Sequence, residues 1–91
     1  MRKYVIEREI PGIGSLPAES YCAGAQRSNQ ALDELGTRIQ WIESYVTADK
    51  LFCVYLAEDE TLIREHAQRS GFPATHIRAV RTILDPTTAP A

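Results

Sequence analysis

Five side chains in this sequence have the chemistry for a binding or catalytic site. They are Glu7, Glu43, Tyr45, Cys53 and Tyr55. Carboxylate and thiolate groups bind first-row divalent metals. A carboxylate beside a tyrosine hydroxyl can also act as an acid or base on a small substrate. The first question is therefore whether the fold brings these five side chains together.

Three interpretations of the set are open from the residues alone. A divalent cation would neutralise Glu7 and Glu43 in a cavity, where isolated charges are costly. Ion pairs would do the same, with partners among Arg8, Arg78 and Arg81. A small organic ligand would use a carboxylate as acid or base and a tyrosine as hydrogen-bond donor.

The positions of these side chains depend on a predicted β-hairpin from Ile39 to Glu58. A two-residue turn at Ala48 and Asp49 would place Glu43 among the hydrophobic residues of the second strand. We therefore predict a three-residue turn, 48–50, which separates an apolar face from a mixed one. The mixed face then carries Trp41, Glu43, Tyr45, Cys53 and Tyr55.

Alternation and capping residues define the elements on either side of the hairpin. Residues 3–10 alternate as a strand. Ser15 and Pro17 begin an amphipathic helix that ends at Gly36. Asp59 is a natural N-cap for a second helix that ends at Gly71. The inner face of the second helix is predicted to carry Leu62, Ile63, His66, Ala67 and Ser70.

A last strand from His76 to Leu84 completes the order strand, helix, strand, strand, helix, strand. This order predicts an α+β, ferredoxin-like βαββαβ fold with a four-stranded antiparallel sheet. Right-handed crossovers put both helices on one face. The uncovered face predicts a homodimer of the dimeric α/β-barrel type, which encloses a cavity. We expect that cavity to be lined by Val5, Trp41, Tyr45 and Tyr55.

Length and composition limit the number of domains, the classes of partner and the cellular location. Of 91 residues, 1–85 are expected to form a single domain and 86–91 a disordered tail. The net charge of -2 gives no basic patch for nucleic acid, and no apolar run is long enough to span a membrane. We expect a cytoplasmic protein in which Cys22 and Cys53 are free thiols.

In the predicted fold, His66 lies on the inner face of the second helix, on the opposite side of the sheet from Cys53. A histidine in such a place is typically structural and donates to a backbone carbonyl. No HExxH motif surrounds it. An alternative function is a cofactor-free enzyme of the dimeric α/β-barrel class, an isomerase or a small monooxygenase. It would use Glu43 and the tyrosines in the sheet cavity.

Most of the chain, from about Tyr4 to Val80, carries a resemblance to a known family. The segments concerned are YVIEREIPG, the start of the first helix, SYVTADKLFCVYLAEDE and IREHAQRSGFPATHI. They resemble a family of small bacterial nickel-responsive or nickel-binding proteins, formerly a domain of unknown function. The most specific shared features are the Phe52-Cys53 pair and His66 with Gly71. The resemblance implies a ferredoxin-like dimer that binds a divalent metal such as nickel.

We predict Glu7, Cys53 and His66 as the ligands of such a metal in this chain, with Glu43 and Tyr45 as secondary candidates. Where the family's nickel-binding pattern has histidines, the first strand here reads Ile6-Glu7-Arg8-Glu9. Carboxylates in place of imidazoles favour harder cations. With a three-residue turn, Cys53 and His66 lie on different faces of the sheet. Either the site does not use both, or the register differs by one residue.

Overall fold

The computed structural model describes residues 1–90 as one antiparallel sheet with two helices packed on the same side. The strands stand in the order β2-β3-β1-β4. This is the ferredoxin-like βαββαβ fold that the sequence predicts. The elements are β1 (Arg2–Glu9), α1 (Ala18–Leu35), β2 (Ile39–Val46), β3 (Lys50–Ala57), α2 (Glu60–Ser70) and β4 (His76–Ala79), with short 3-10 turns at Ile13–Ser15 and Pro86–Thr88.

The second helix begins and ends where its capping residues predict. The Asp59 carboxylate accepts a hydrogen bond of 3.2 Å from the backbone N–H of Leu62, which satisfies one of the free donors of the first turn. Gly71 ends the helix at a φ of 80°, a conformation that glycine adopts without strain. All five residues predicted for the inner face are buried. The first helix differs slightly, since Pro17 is its N-cap and Ser15 lies in the preceding 3-10 turn.

The sheet has two unlike faces, which we call the helix face and the open face. The helix face is covered by α1 and α2 and holds the core. The open face has no element packed on it among the described residues, and its apolar side chains are half-buried. The core comprises Tyr4, Ile6, Ile39, Cys53, Tyr55, Ala57, Leu62 and Ile63. The open face includes Val5, Glu7, Phe52, Val54 and Leu56.

The predicted three-residue turn of the hairpin is wrong. Val46 pairs with Leu51, and the N–H of Thr47 donates to the carbonyl of Lys50 at 2.9 Å, so the turn consists of two residues, 48 and 49. The loop after β1 fixes this geometry. Its Gly14 N–H donates to the carbonyl of Ala48 at 2.9 Å, and further bonds from the same loop reach Asp49. The turn was therefore set by tertiary contacts rather than by the hairpin alone.

A β-bulge in β2 then divides the residues that the sequence placed together. Tyr45 and Glu43 lie opposite Phe52 and Val54, whereas Trp41 lies opposite Tyr55, so the register shifts between Trp41 and Glu43. The extra residue of a bulge moves the following side chains to the other face. Trp41 consequently lies on the helix face and Glu43 on the open face. The expected burial of Glu43 does not arise, because the open face is in contact with solvent.

The end of the chain is less regular than predicted. The last strand ends at Ala79 rather than Leu84, although the N–H of Val80 still donates to the carbonyl of Lys3 at 2.9 Å. Asp85 caps a short 3-10 turn at Pro86–Thr88. Disorder of residues 86–91 stays a prediction, and Ala91 lies outside the described residues. No helix within residues 1–90 is long and apolar enough to cross a membrane.

Candidate functional site: a cleft between the sheet and the first helix

A cleft of about 590 Å³ lies on the helix face, between the sheet and α1, and is partly open to solvent. This volume is within the usual range for sites of small organic ligands. Its wall is mostly apolar, with a few polar groups. The sheet contributes Arg8, Trp41, Ser44, Cys53 and Tyr55, α1 contributes Tyr21, Gly24, Ala25 and Ser28, and the segment after α2 contributes Phe72 and Pro73.

Short contacts between loops hold the cleft in shape. The Tyr21 hydroxyl donates to the carbonyl of Ile13 at 2.6 Å and thereby ties α1 to the 3-10 turn. A Cβ at Gly14 would lie 2.6 Å from the carbonyl oxygen of Thr47, so this position requires glycine. At Gly24, a Cβ would lie 3.2 Å from the Phe72 ring. The small residues therefore allow α1 and the 3-10 turn to approach their neighbours closely.

Arg8 is the most unusual residue of the cleft wall, because its charged side chain is only 1% exposed. Its Nη1 donates to the carbonyl of Pro73 at 2.9 Å, and its Nε donates to the Cys53 sulfur at 3.4 Å. The guanidinium also lies 5.7 Å from the centre of the Phe72 ring. Its Nη2 is buried and has no hydrogen-bond partner within the described residues.

A buried network of three side chains lies next to Arg8. The Ser28 hydroxyl lies 3.1 Å from Nε2 of His66 and 3.4 Å from the Tyr55 hydroxyl, and the Tyr55 hydroxyl lies 3.5 Å from the same His66 nitrogen. The network links α1, β3 and α2. His66 thus bonds to a serine hydroxyl rather than to the backbone carbonyl that the sequence predicts. Its Nδ1 has no partner in residues 1–90.

Burial keeps this network neutral. Burial first, and then the positive charge of Arg8, together lower the pKa of His66 to about 4. Burial also raises the pKa of Tyr55. At neutral pH the imidazole is uncharged, and it acts as a hydrogen-bonding core residue. A base with so low a pKa is a poor proton acceptor at neutral pH.

The structure divides the eight predicted site residues between the two faces of the sheet. Trp41, Cys53, Tyr55 and His66 lie on the helix side, whereas Val5, Glu7, Glu43 and Tyr45 lie on the open face. Cys53 and His66 share a face, contrary to the prediction. Glu7 and Glu43 are separated from both by the sheet. Within residues 1–90, the thiol and the two carboxylates therefore lie on opposite faces of the sheet.

The carboxylates of the open face are already paired. Glu7 lies 3.1 Å from Nζ of Lys50 and 3.6 Å from a guanidinium nitrogen of Arg78. Its hydrogen bond with Lys50 lowers the pKa of Glu7. Glu43 accepts a hydrogen bond from Tyr45, and this bond raises the pKa of Tyr45. Of the interpretations open from the sequence, ion pairing describes Glu7 best, with Lys50 as a partner that the sequence reasoning missed.

The predicted donors do not fit a metal site in a single chain. No group of three or more His, Cys, Asp or Glu side chains is close enough to hold a metal ion in the part of the chain that the structure describes. Cys53 and His66 both lie near the Arg8 cation, which repels a second cation. Glu7 is neutralised by Lys50 and Arg78. A divalent ion would have to displace these partners.

Sequence reasoning did not select Arg8 as a site residue, although a signal was present. Arg8 follows Tyr4 and Ile6 on the same side of an alternating strand, so it belongs to the face that packs on the helices. Arginine is almost never fully buried unless it is paired. A charged residue on the buried side of an alternating strand was therefore the sequence feature that indicated the cleft.

Comparison with known proteins agrees with this fold. A family model described as "Nickel responsive protein SCO4226-like" matches residues 4–80. The chain belongs to this nickel-responsive family. A search of curated proteins gives no match.

A solved structure gives a second point of comparison for this SCO4226-like protein. The crystal structure of SCO4226 from Streptomyces coelicolor A3(2) is similar over 90% of this chain and 99% of that chain, with a TM-score of 0.74. Sequence identity between the two is 10%. At this identity the likeness shows the fold, and the residues of the site must be judged from this chain alone.

Proposed function

We propose that this SCO4226-like protein binds a small organic ligand in the cleft between the sheet and α1. The observation that carries this proposal is the cleft itself, about 590 Å³ in volume, with apolar walls and a few fixed polar groups. Ligand sites of soluble proteins commonly combine these properties. Ser28, Tyr55 and Arg8 supply the polar groups, and Trp41 and Phe72 supply the aromatic surface.

Trp41 provides the readout for a test. It is the only tryptophan of the chain and lies in the cleft wall, where its Nε1 donates to the Ser44 hydroxyl at 2.9 Å. We expect a screen of small organic compounds to yield ligands that shift the Trp41 indole N–H resonance in NMR spectra.

A variant that fills the cleft makes the test specific. Ala25 lines the cleft, so Ala25→Phe should abolish the response of Trp41. Ala23 is exposed on the same helix and does not line the cleft, which makes Ala23→Phe the matched control. A response that survives in Ala25→Phe, or the absence of any ligand in a broad screen, would contradict the proposal.

The proposal includes a homodimer formed through the open face. Val5, Phe52, Val54 and Leu56 are half-buried there, and Tyr45 is 54% exposed. Apolar side chains that adjoin on a sheet face favour association. Analytical ultracentrifugation at micromolar concentration should give a dimer that Val54→Lys disrupts and Gln68→Lys, on exposed helix surface, leaves intact. A monomeric wild-type protein would overturn this part.

A second candidate function, favoured by the family description, is the binding of a divalent metal such as nickel. Because Cys53 accepts a hydrogen bond from Arg8 and the charge of Arg8 acts on His66, we expect any Ni²⁺ binding to persist in Cys53→Ala and His66→Ala. Titration calorimetry on untagged protein measures this, and circular dichroism checks that the variants fold. Loss of stoichiometric binding in both folded variants would restore the thiol and imidazole as ligands.

Two further expectations from the sequence concern the cellular location and the alternative enzyme. A cytoplasmic location fits the free thiols of Cys22 and Cys53, and it stays part of the proposal. The alternative enzyme was expected to use Glu43 with the tyrosines in one cavity. Glu43 and Tyr45 lie on the open face and Tyr55 on the helix face, so this arrangement has no support from the geometry.

A further inference from the structure

Arg8 is a buried cation that has no anion. Its side chain is 1% exposed, and it takes part in no ion pair within residues 1–90. Two backbone carbonyls and one sulfur accept from Nε and Nη1, but these neutral groups do not balance the charge. Nη2 remains without a partner. A buried charge in this condition is unfavourable for folding.

The other arginines with defined ionic contacts show the usual arrangement of charged side chains in this protein, which is pairing with a carboxylate. At the surface, Arg38 pairs with Glu58 and Arg64 with Glu60. Arg69 likewise pairs with Glu34 and Glu65. Arg78 pairs with Glu7. An aliphatic residue at position 8 would continue the apolar series of Tyr4 and Ile6 on the helix face. The cation therefore occupies a position where folding alone favours a hydrophobic residue.

The cleft in front of Arg8 has an electrostatic preference. Three charged residues line it, namely Arg8, Arg27 and Glu9. Arg27 lies over the Phe72 ring at 5.1 Å. The Glu9 side chain is 56% exposed and lies 3.9 Å from Nζ of Lys50, so its charge is partly balanced outside the cleft. With two cations and one partly balanced anion, the lining of the cleft carries a net positive charge.

We infer that the ligand of this cleft is a small organic monocarboxylate with an apolar body, and that Arg8 binds its carboxylate. One unpartnered guanidinium nitrogen suits a singly charged, planar anion. The aromatic surfaces of Trp41, Tyr55 and Phe72 suit an apolar body. This inference rests on the proposed function, since it names the chemical class of ligand for the same cleft.

The inference also explains why a buried charge is present at position 8. Nη2 is closed to solvent in the free protein, so the cleft wall would have to shift for a carboxylate to reach it. That contact would satisfy Nη2 and neutralise the charge, a gain that the free protein lacks. An anion-binding group of this kind also opposes metal binding at the adjacent Cys53 and His66.

Matched probes test the inference. Titrations of 3-phenylpropionate and hexanoate are compared with titrations of 3-phenylpropanamide and hexanamide, which have the same apolar bodies without the charge. With Trp41 as the reporter, we expect each acid to bind at least about tenfold more tightly than its amide, the ratio for one charge-assisted hydrogen bond. Arg8→Met should reduce that ratio to about one.

Control variants separate binding from folding. Arg81→Met removes an exposed arginine outside the cleft and should leave the ratio unchanged. Arg8→Lys keeps the charge and should retain part of the preference for acids, which keeps the test decisive if Arg8→Met does not fold.

The outcomes distinguish this inference from the proposed function. Equal binding of acids and amides would overturn the carboxylate inference and leave the cleft as a ligand site. Tighter binding of phenyl phosphate than of either acid would overturn it in favour of a phosphate. Absence of binding by every probe, in a protein whose cleft accepts no compound from the screen, would overturn both.

Discussion

The two faces of the sheet treat charged residues in opposite ways. On the open face, Glu7 is paired with Lys50 and Arg78, and solvent reaches the partners. On the helix face, Arg8 is buried one residue further along the same strand and has no anion. Glu7 and Arg8 are neighbours in one strand and thus differ in whether their charge is paired. The charge of Glu7 on the open face is balanced, whereas the charge of Arg8 on the helix face has no anion within residues 1–90.

This difference changes where function is expected. From the sequence, the carboxylates are the prominent residues, because two of them fall in strands beside aromatic residues. In the structure Glu7 is neutralised by Lys50 and Arg78, and the exposed Glu43 accepts a hydrogen bond from Tyr45. The unbalanced charge belongs to Arg8, in the wall of the cleft. An unsatisfied buried group is a better indication of a site than a conspicuous exposed one.

The largest expected difference between the two faces is in packing. Ile6→Ala removes a side chain that is fully buried on the helix face, and we expect it to lower the free energy of unfolding by about 3 to 4 kcal/mol. Val5→Ala, the neighbouring position on the open face, should cost about 1 kcal/mol. Chemical denaturation measures both. Equal losses would show that the open face is as tightly packed as the core.

The next largest effect concerns acid stability. The pKa of His66 is about 4 in the folded protein and 6.5 ordinarily, so below pH 6.5 the unfolded chain takes up a proton that the folded one excludes. Stability from this source is present above pH 6.5 and falls as the pH drops toward 4, by about 2 to 3 kcal/mol. Denaturation at several pH values should show this slope in the wild type.

The same experiment on variants assigns the slope to its residue. His66→Leu should reduce it, since no imidazole is left to take up a proton. His76→Gln, at an exposed position, should preserve it. An unchanged slope in His66→Leu would mean that the acid sensitivity belongs to other groups.

A smaller effect is expected from the tyrosine hydroxyls. Tyr55→Phe removes a buried hydroxyl that contacts Ser28 and His66 and should cost about 1 kcal/mol. Ser28 and His66 keep their own bond of 3.1 Å, which limits the loss. Tyr45→Phe, on the open face, should change stability less, because water replaces the lost partner of Glu43. Thermal unfolding of the pair measures the difference, and a reversed order would contradict the assignment of faces.

The smallest effect is expected from the ion pairs of the open face. Glu7→Gln removes the partner of Lys50 and Arg78, but exposed pairs contribute little and are screened by salt. The destabilisation should be smaller than for any variant above, and it should vanish at high salt. Because the proposed homodimer would enclose Glu7, the comparison is made in the monomeric Val54→Lys background, where a large, salt-independent loss would contradict the expectation.

Much of the fold could be predicted from local signals. The Asp59 cap, the Gly71 stop and the inner face of α2 all agree with the structure, because a cap or a helical stripe depends only on residues within a few positions. The candidate site could not be predicted in the same way, since it depends on which faces of three strands coincide.

The hairpin shows why the sequence could not predict which side chains of the three strands share a face. Side chains alternate with a period of two, so a change of one residue in the turn reverses a whole strand. Contacts from the loop after β1 selected the two-residue turn, and the bulge after Trp41 then reversed the register again. Each of these decisions involves residues far apart in the chain.

The sequence by itself determined the order of elements, the ends of α2 and the placement of Arg8 in the buried phase of β1. Only the tertiary structure decided that no carboxylate within residues 1–90 pairs with Arg8, that Cys53 and His66 share its face, and that Arg8 lies in the wall of a cleft. The physical reason is the range of the interactions. Helix caps and alternation act within a few residues, whereas the balance of a buried charge depends on every element that packs around it.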